Sequence, residues 1–279
     1  MNTMQKIKMI ALDLDGTVFN DDKEISKKNR EAIQKAIDAG VVVMPATGRH
    51  LFGLPEQLIS IPGMQYAVTC NGAAIYDLKT KQLIYQDAIA WEEAADIVKE
   101  QMTMGNIPEI YIDGHGYIDE IAFERMMAID IPPVLKDYAR KSKIRVKNLE
   151  GMIRSEKKNG DKIHMLFDRR YPKIRQEAFL VMQTHPHLTV GSAFPYNMEV
   201  NKDTANKGVA LLKLGEMLGI ARDEIMAIGD GENDLVMLQT IGFPVAMGNA
   251  VDVLKDCAKA VTLDNNHDGV SAAIEAYVL

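Results

Sequence analysis

Short apolar runs recur along the chain, and three of them stop at small polar or acidic residues. Ile7 to Leu12 ends at Asp13-Leu14-Asp15-Gly16-Thr17, and Val41 to Ala46 ends at Thr47-Gly48-Arg49. Ile225 to Ile228 runs into Gly229-Asp230-Gly231-Glu232-Asn233-Asp234. Such runs, bounded by glycines and charges, read as buried strands. Amphipathic stretches alternate with them. Ser26 can cap a helix that carries Ile33, Ala36 and Ile37 on one side and closes at Gly40. Asn206-Lys207-Gly208 opens a helical pattern in which Leu211, Leu214 and Leu218 share a face, with Gly219 as its C-cap.

The same reading extends across both ends of the chain. Tyr66 to Cys70 is a third strand, followed by Asn71-Gly72 and a hairpin over Ala73 to Tyr85. From about Val200 onward the pattern predicts a helix near 207–218, a strand near 225–228, a short helix near 233–239 and a strand near 244–246. A helix near 251–257, a strand near 260–263 and a terminal helix complete it. Alternating β and α elements imply an α/β fold, a doubly wound parallel sheet with helices on both faces. Residues 87–192 differ in character. They contain helix-like Trp91 to Met104, a hairpin around Asp113-Gly114-His115-Gly116, a strand at Lys162 to Phe167, a helix near 172–183 and a strand near 188–193. We read them as an inserted second domain, with residues 1–86 and 193–279 forming a discontinuous core and hinges near 85–88 and 192–200.

Composition narrows the function classes. With 279 residues, 47% hydrophobic and 25% charged, the chain has the make-up of a globular enzyme of one large or two medium domains. A net charge of −7 argues against general nucleic-acid binding, which depends on cationic contacts to phosphates. Cys70 and Cys257 are the only cysteines and read as buried free thiols of a reducing cytosol. The start of the chain has no signal-peptide core, and no stretch approaches the roughly 18 apolar residues of a membrane span. The expectation is a cytoplasmic protein without a membrane or nucleic-acid partner, a monomer or small homo-oligomer.

The chemistry lies at the ends of the strands. Two carboxylates one residue apart, Asp13 and Asp15, raise each other's pKa unless a cation or a specific hydrogen bond offsets them. Mg²⁺, a hard cation that takes oxygen ligands, is the natural solution, and such a site suits attack on phosphorus. Asp230 and Asp234, four residues apart in a glycine-bearing loop, look like a second metal-binding strand end. Thr47 and Gly48 can offer a phosphate one hydroxyl and close backbone N–H groups. Lys207 stands at a helix start, where the macrodipole disfavours a cation, so an anion partner explains it better than helix stability does. Each piece has a plainer reading: an Asp-Gly turn, a Thr-Gly turn, an acidic loop, a surface lysine, and for Asp234 a helix cap. In open parallel sheets, however, ligands gather at the carboxyl ends of the strands, so the fold would bring these residues together.

Taken in order, Asp13-x-Asp15-Gly16-Thr17, Thr47-Gly48-Arg49, Lys207-Gly208 and Gly229-Asp230-Gly231-x-Asn233-Asp234 resemble the four motifs of the haloacid dehalogenase-like (HAD) hydrolase superfamily. The chain is most similar to its Cof-type sugar-phosphatase branch. Asn71-Gly72-Ala73, Met247-Gly248-Asn249-Ala250 and Asp268-Gly269-Val270 resemble further stretches of that branch. The four residues before Lys207, Asp203-Thr204-Ala205-Asn206, differ from the Gly-Val-Ser common there, although Asn206 can cap the helix as serine would. The resemblance implies a Rossmann-like core, a C2-type α/β cap that closes over the active site as a lid and recognises the leaving group, and Mg²⁺-dependent hydrolysis of small phosphorylated metabolites, foremost sugar phosphates. Flavin- or nucleotide-derived monophosphates and pyridoxal phosphate fit the same machinery. It assigns Asp13 as nucleophile and metal ligand, Asp15 as general acid and base with a metal-binding backbone carbonyl, and Asp230 and Asp234 as metal ligands, the latter directly or through water. Thr47, Gly48 and Lys207 would hold the phosphoryl group. Asn233 would bond the phosphate or orient Lys207, and Arg49 would reach the substrate or the cap.

Two other classes remain in view. A phosphomutase of the phosphomannomutase type would return the phosphoryl group to a sugar, and a non-catalytic binding module would keep only the fold. The Lys- and Arg-rich stretch Lys136 to Lys158 reads as a solvated face of the cap, His185-Pro186-His187 as a surface loop, and His50 as a packing residue. Tyr111, His115, Tyr117 and His164 are candidates for the underside of the cap.

Overall fold

The computed structural model describes residues 6–279, so part of the stretch read as lacking a signal peptide lies outside the described residues. The chain divides into two compact units. One holds the residues up to Gly48, Leu54–Tyr85 and Asn206–Leu279; the other holds Arg49–Gly53 and Gln86–Ala205.

The first unit is built on a five-stranded sheet in the order Ala260–Val261, Phe243–Ala246, Ile225–Gly229, Met9–Leu12 and Val42–Pro45. Every neighbouring pair is parallel. Met9, Ile10, Ala11 and Leu12 are all buried, as a central strand covered on both faces requires. Leu12 stands opposite both Ile228 and Pro45. That register puts the residues after Leu12, Ile228 and Pro45 at one end of the sheet. The helices Lys27–Asp38 and Gly269–Tyr277 pack against each other, as do Lys207–Leu218 and Leu235–Thr240. Ser26 caps the first of these by accepting from Asn29 N, and Gly219 closes Lys207–Leu218 in the left-handed conformation.

A smaller sheet, Tyr66–Thr69, Ala74–Asp77 and Leu83–Gln86, belongs largely to the same unit. The turn between its first two strands is tight: Cys70, Asn71 and Gly72 have φ of 51°, 61° and 98°. A Cβ on Gly72 would lie 2.2 Å from the backbone carbon of Asn206. This turn therefore seats the residue that caps the helix of Lys207.

The second unit has a six-stranded sheet in the order Leu188–Gly191, Asn197–Lys202, Lys162–Leu166, Pro108–Ile112, His115–Asp119 and Lys143–Val146. Its last pair is parallel and the others antiparallel. Alternation gives it two faces. Ile110, Ile112, Ile163, Met165, Met198 and Val200 join a core with Ile97, Val98, Ile153 and Met182. Ile107, Ile118 and Leu166 pack instead with Phe123, Met126 and Ala139.

Several sequence expectations differ from this. Asn197–Lys202 was expected to fall largely in a hinge within the core domain; it is a strand of the second unit, paired on both sides. Met198 and Val200 on one face alternate with Asn197, Glu199 and Asn201 on the other, which is the period-two signal that marks it, although Asn197 and Asn201 are buried too. The helices Pro133–Ser142 and Leu149–Glu156 and the strand Lys143–Val146 occupy the stretch Lys136 to Lys158 that reads as a solvated basic face, and the helix Glu120–Ala128 precedes it. Lys143 is not solvated, since its side chain is 2% exposed. Cys70 is buried, whereas Cys257 is only half-buried. Among the described residues, no helix is long and apolar enough to cross a membrane.

Replacing Gly72 by alanine adds a strained φ and a backbone clash. Denaturant titration is expected to give a loss of about 2–4 kcal/mol. A loss below about 0.5 kcal/mol would show that this turn does not fix the helix start.

Candidate active site

Strand ends of the parallel sheet and one helix start build the site. Asp13 follows Leu12, and its amide donates to Ile228 O at 3.0 Å. Thr47 donates its amide to Val68 O and accepts at its carbonyl from Asn71 N, both at 3.0 Å. Lys207 begins its helix directly after Asn206, whose Oδ1 accepts from Val209 N at 2.9 Å.

Lys207 holds the set together. Its Nζ donates to Asp13 Oδ1 and Asp234 Oδ1, both at 2.6 Å, in a setting where all three side chains are nearly inaccessible. Burial works against the lysine charge, but Asp13 and Asp234 outweigh it and hold its pKa above the usual lysine range. Asp13 is raised well above the usual carboxylate range, by burial first and by the charge of Asp234 second, with Lys207 opposing. Asp230 is pushed up to about 6 by burial; the hydrogen bond from Thr17 Oγ1, at 2.7 Å, opposes this, and the charge of Asp234 adds to it.

One ammonium thus serves three carboxylates. Asp13, Asp230 and Asp234 bring oxygens within 4.8 Å of one another. Uncompensated acidic oxygens in that arrangement are a hard donor set and fit a divalent cation. The three are not equivalent. Asp234 engages Lys207 through Oδ1, while its Oδ2 accepts from the amides of Asp230 at 3.1 Å and Gly231 at 3.3 Å. Both of its oxygens are committed to protein donors. Glycines make the close approach possible. Gly16 has φ of +86°, and a Cβ there would lie 2.3 Å from Asp230 Oδ2; a Cβ on Gly229 would lie 2.6 Å from Asp234 Oδ2.

The remaining expected residues are less central. Asp15 is exposed and pairs with Lys23 at 3.0 Å. Asn233 is exposed and makes no bond to Lys207; Asp234 orients the lysine instead. Gly48 ends a segment of the first unit, and Arg49 begins a segment of the second, its guanidinium 5.7 Å from the ring centre of Tyr138.

The second unit carries a polar cluster that the sequence did not announce. Glu109 Oε1 accepts from Lys143 Nζ at 2.7 Å, Tyr111 Oη at 3.0 Å and His164 Nδ1 at 2.7 Å. Burial favours the neutral acid, but Lys143 and His164 hold Glu109 well below the usual carboxylate range. His50 is pushed down to about 3 by burial and by the Lys143 charge, so it is neutral. Its Nδ1 donates to Gly114 O at 3.0 Å, which leaves Nε2 as an acceptor. His50 Nε2 and Glu109 Oε2 are buried without a partner among the described residues. A Cβ on Gly116 would lie 3.0 Å from Lys143 Nζ and 3.2 Å from His50 Nε2. That glycine, read as part of a turn, sits inside a strand, where a lone glycine marks close approach by another group. His50 packs as expected, and Lys143 and Glu109 are the residues that sequence reasoning missed.

A doubly wound sheet with a lysine-bridged carboxylate cluster at its carboxyl edge defines a class of hydrolase. The chain belongs to the haloacid dehalogenase-like hydrolases: the family model of that description matches residues 10–274. It is 31% identical, over 98% of its length and 96% of the relative's, to the 5-amino-6-(5-phospho-D-ribitylamino)uracil phosphatase YcsE of Bacillus subtilis (strain 168). It is 24% identical, over 98% and 99%, to the pyridoxal phosphate phosphatase YbhA of Escherichia coli (strain K12). Among solved structures, a haloacid dehalogenase-like hydrolase from Bacteroides thetaiotaomicron superposes with a TM-score of 0.81 at 27% identity, covering 97% of this chain and 99% of that one.

Removing the ammonium should expose the charge imbalance. Lys207→Met is expected to destabilise the metal-free protein by about 3–5 kcal/mol at pH 7.5, because two buried carboxylates lose their partner. Asp13, already raised, then rises further. A carboxyl raised in the folded state contributes stability at low pH that is lost as pH climbs through its folded pKa. The deficit against wild type should therefore shrink at pH 5. Equal deficits at both pH values, measured by denaturant titration in EDTA, would contradict this electrostatic account.

Proposed function

We propose that this protein is a Mg²⁺-dependent phosphatase acting on small phosphorylated metabolites, foremost sugar phosphates, through an aspartyl-phosphate at Asp13. The observation that carries the reading is Lys207 bridging Asp13 and Asp234 beside Asp230. Asp13 and Asp230 would hold the cation with the backbone carbonyl of Asp15, and Asp234 would act through water, since its oxygens are occupied. When bound, the cation supplies charge neutralisation of the phosphoryl oxygens.

The chain's own residues perform the transfers. Lys207 holds Asp13 Oδ1, and the other carboxylate oxygen attacks phosphorus, forming an O–P bond as the bond to the alcohol oxygen breaks. Asp15 gives its proton to that oxygen. It then takes a proton from water, whose oxygen attacks phosphorus and releases phosphate from Asp13. Thr47, the Gly48 amide and Lys207 stabilise the phosphoryl charge, and exposed Asn233 is a further contact for it. We read the second unit as the cap and Arg49 as its residue nearest in sequence to the phosphate loop. The relatives' names span a ribityl pyrimidine phosphate and pyridoxal phosphate, which agrees with one phosphoryl machinery serving varied alcohols.

Phosphate release from a panel of sugar, polyol and pyridoxal monophosphates tests this. Wild type with Mg²⁺ should release phosphate, and EDTA or Asp13→Asn should reduce the rate by at least about 10³-fold. Turnover that survives Asp13→Asn would remove Asp13 as nucleophile. No release from any substrate by folded, Mg²⁺-supplied enzyme would overturn the phosphatase reading.

A further inference from the structure

The turn after the strand Phe243–Ala246 touches both acidic loops of the site. Met247 N donates to Gly229 O at 3.0 Å, and Val251 N donates to Asp230 O at 3.1 Å. Between them, Asn249 reaches the other loop: its Nδ2 donates to Gly16 O at 2.8 Å. Its Oδ1 accepts from Asn265 N at 3.0 Å, which fixes the orientation of the amide. Asn265 is itself buried and donates from Nδ2 to Phe19 O at 3.2 Å and to Asp21 Oδ1 at 3.1 Å. The peptide that Asn249 holds is the one packed against the acidic cluster. Gly16 lies under Asp230 Oδ2, and the next residue, Thr17, donates to Asp230 Oδ1.

We infer that Asn249 is a positioning residue that sets the separation of the Asp13 loop and the Asp230 carboxylate, and thereby the affinity for the divalent cation. The inference rests on the metal reading proposed above. The turn grips the Asp230 loop through its backbone and the Asp13 loop through one side-chain amide, so the Asn249 donor joins the two halves of the donor set alongside the direct bond from Thr17 to Asp230. Asn249 is exposed, so removing its side chain leaves no cavity. The essential atom is the Nδ2 donor. Alanine deletes it, and aspartate replaces it with an acceptor facing the Gly16 carbonyl.

Mg²⁺ binding to the full chain, measured by titration calorimetry, tests this with Asn249→Ala and Asn249→Asp. Alanine should weaken the affinity about threefold to tenfold, the range for losing one hydrogen bond. Aspartate should weaken it further, despite adding negative charge near a cation site. The melting temperature of Asn249→Ala in EDTA should stay within about 3 °C of wild type, which a residue serving only the fold would not allow. Unchanged affinity in both variants, an aspartate variant that binds as tightly as wild type, or an EDTA melting point lowered by about 10 °C or more would each overturn the assignment. If wild type binds no Mg²⁺, the metal reading itself fails, and this inference fails with it.

Discussion

The structure of the site depends on one buried ammonium placed between two buried carboxylates. Lys207 Nζ lies 2.6 Å from both Asp13 and Asp234. An ion set removed from water is stabilising only when its partners are close and well directed, and removing one member leaves a buried charge uncompensated. The helix start that carries Lys207 is itself unfavourable for a cation. What offsets this is the pair of carboxylates 2.6 Å from its ammonium. Burial first, and the charge of Asp234 after it, keeps Asp13 and Asp230 above ordinary carboxylate values, and three carboxylates around one ammonium make the site receptive to a cation.

The surrounding backbone keeps those charges at close range. Parallel register brings Asp13 and Gly229 to the same end of the sheet, and absent Cβ atoms at Gly16 and Gly229 let Asp230 and Asp234 rest on bare main chain. The left-handed turn at Cys70–Gly72 seats the capped helix from the other side, through the Asn206 backbone. Short contacts of this kind transmit small displacements directly, because close-packed interiors have little slack.

Much of this was legible in the sequence, for physical reasons. The strand residues Met9–Leu12, Val42–Pro45 and Ile225 to Ile228 are all apolar, as strands buried on both faces must be, and Asn206 and Gly219 mark a helix with caps at both ends. The partition of the acidic residues was not legible. Whether Asp234 faces a metal or backbone amides depends on loop geometry that spacing does not encode, and the same holds for Asn233, which is exposed and makes no hydrogen bond to Lys207. The second unit was read least well. Its polar strands alternate charge with apolar residues, so Glu109, Lys143 and Lys162 look solvated although they are buried and paired. The strand Asn197–Lys202 was passed over for the same reason.

The central claim is that Asp13 carries the phosphoryl group. The most direct measurement is to quench the enzyme during turnover of a substrate found in the phosphate-release panel, reduce it with borohydride, and locate the modified residue by peptide mass spectrometry. Reduction of an aspartyl-phosphate gives homoserine, and the account predicts homoserine at position 13 only when substrate and Mg²⁺ are both present. Homoserine at another aspartate, or an unmodified Asp13 in enzyme trapped while turning over, would contradict it.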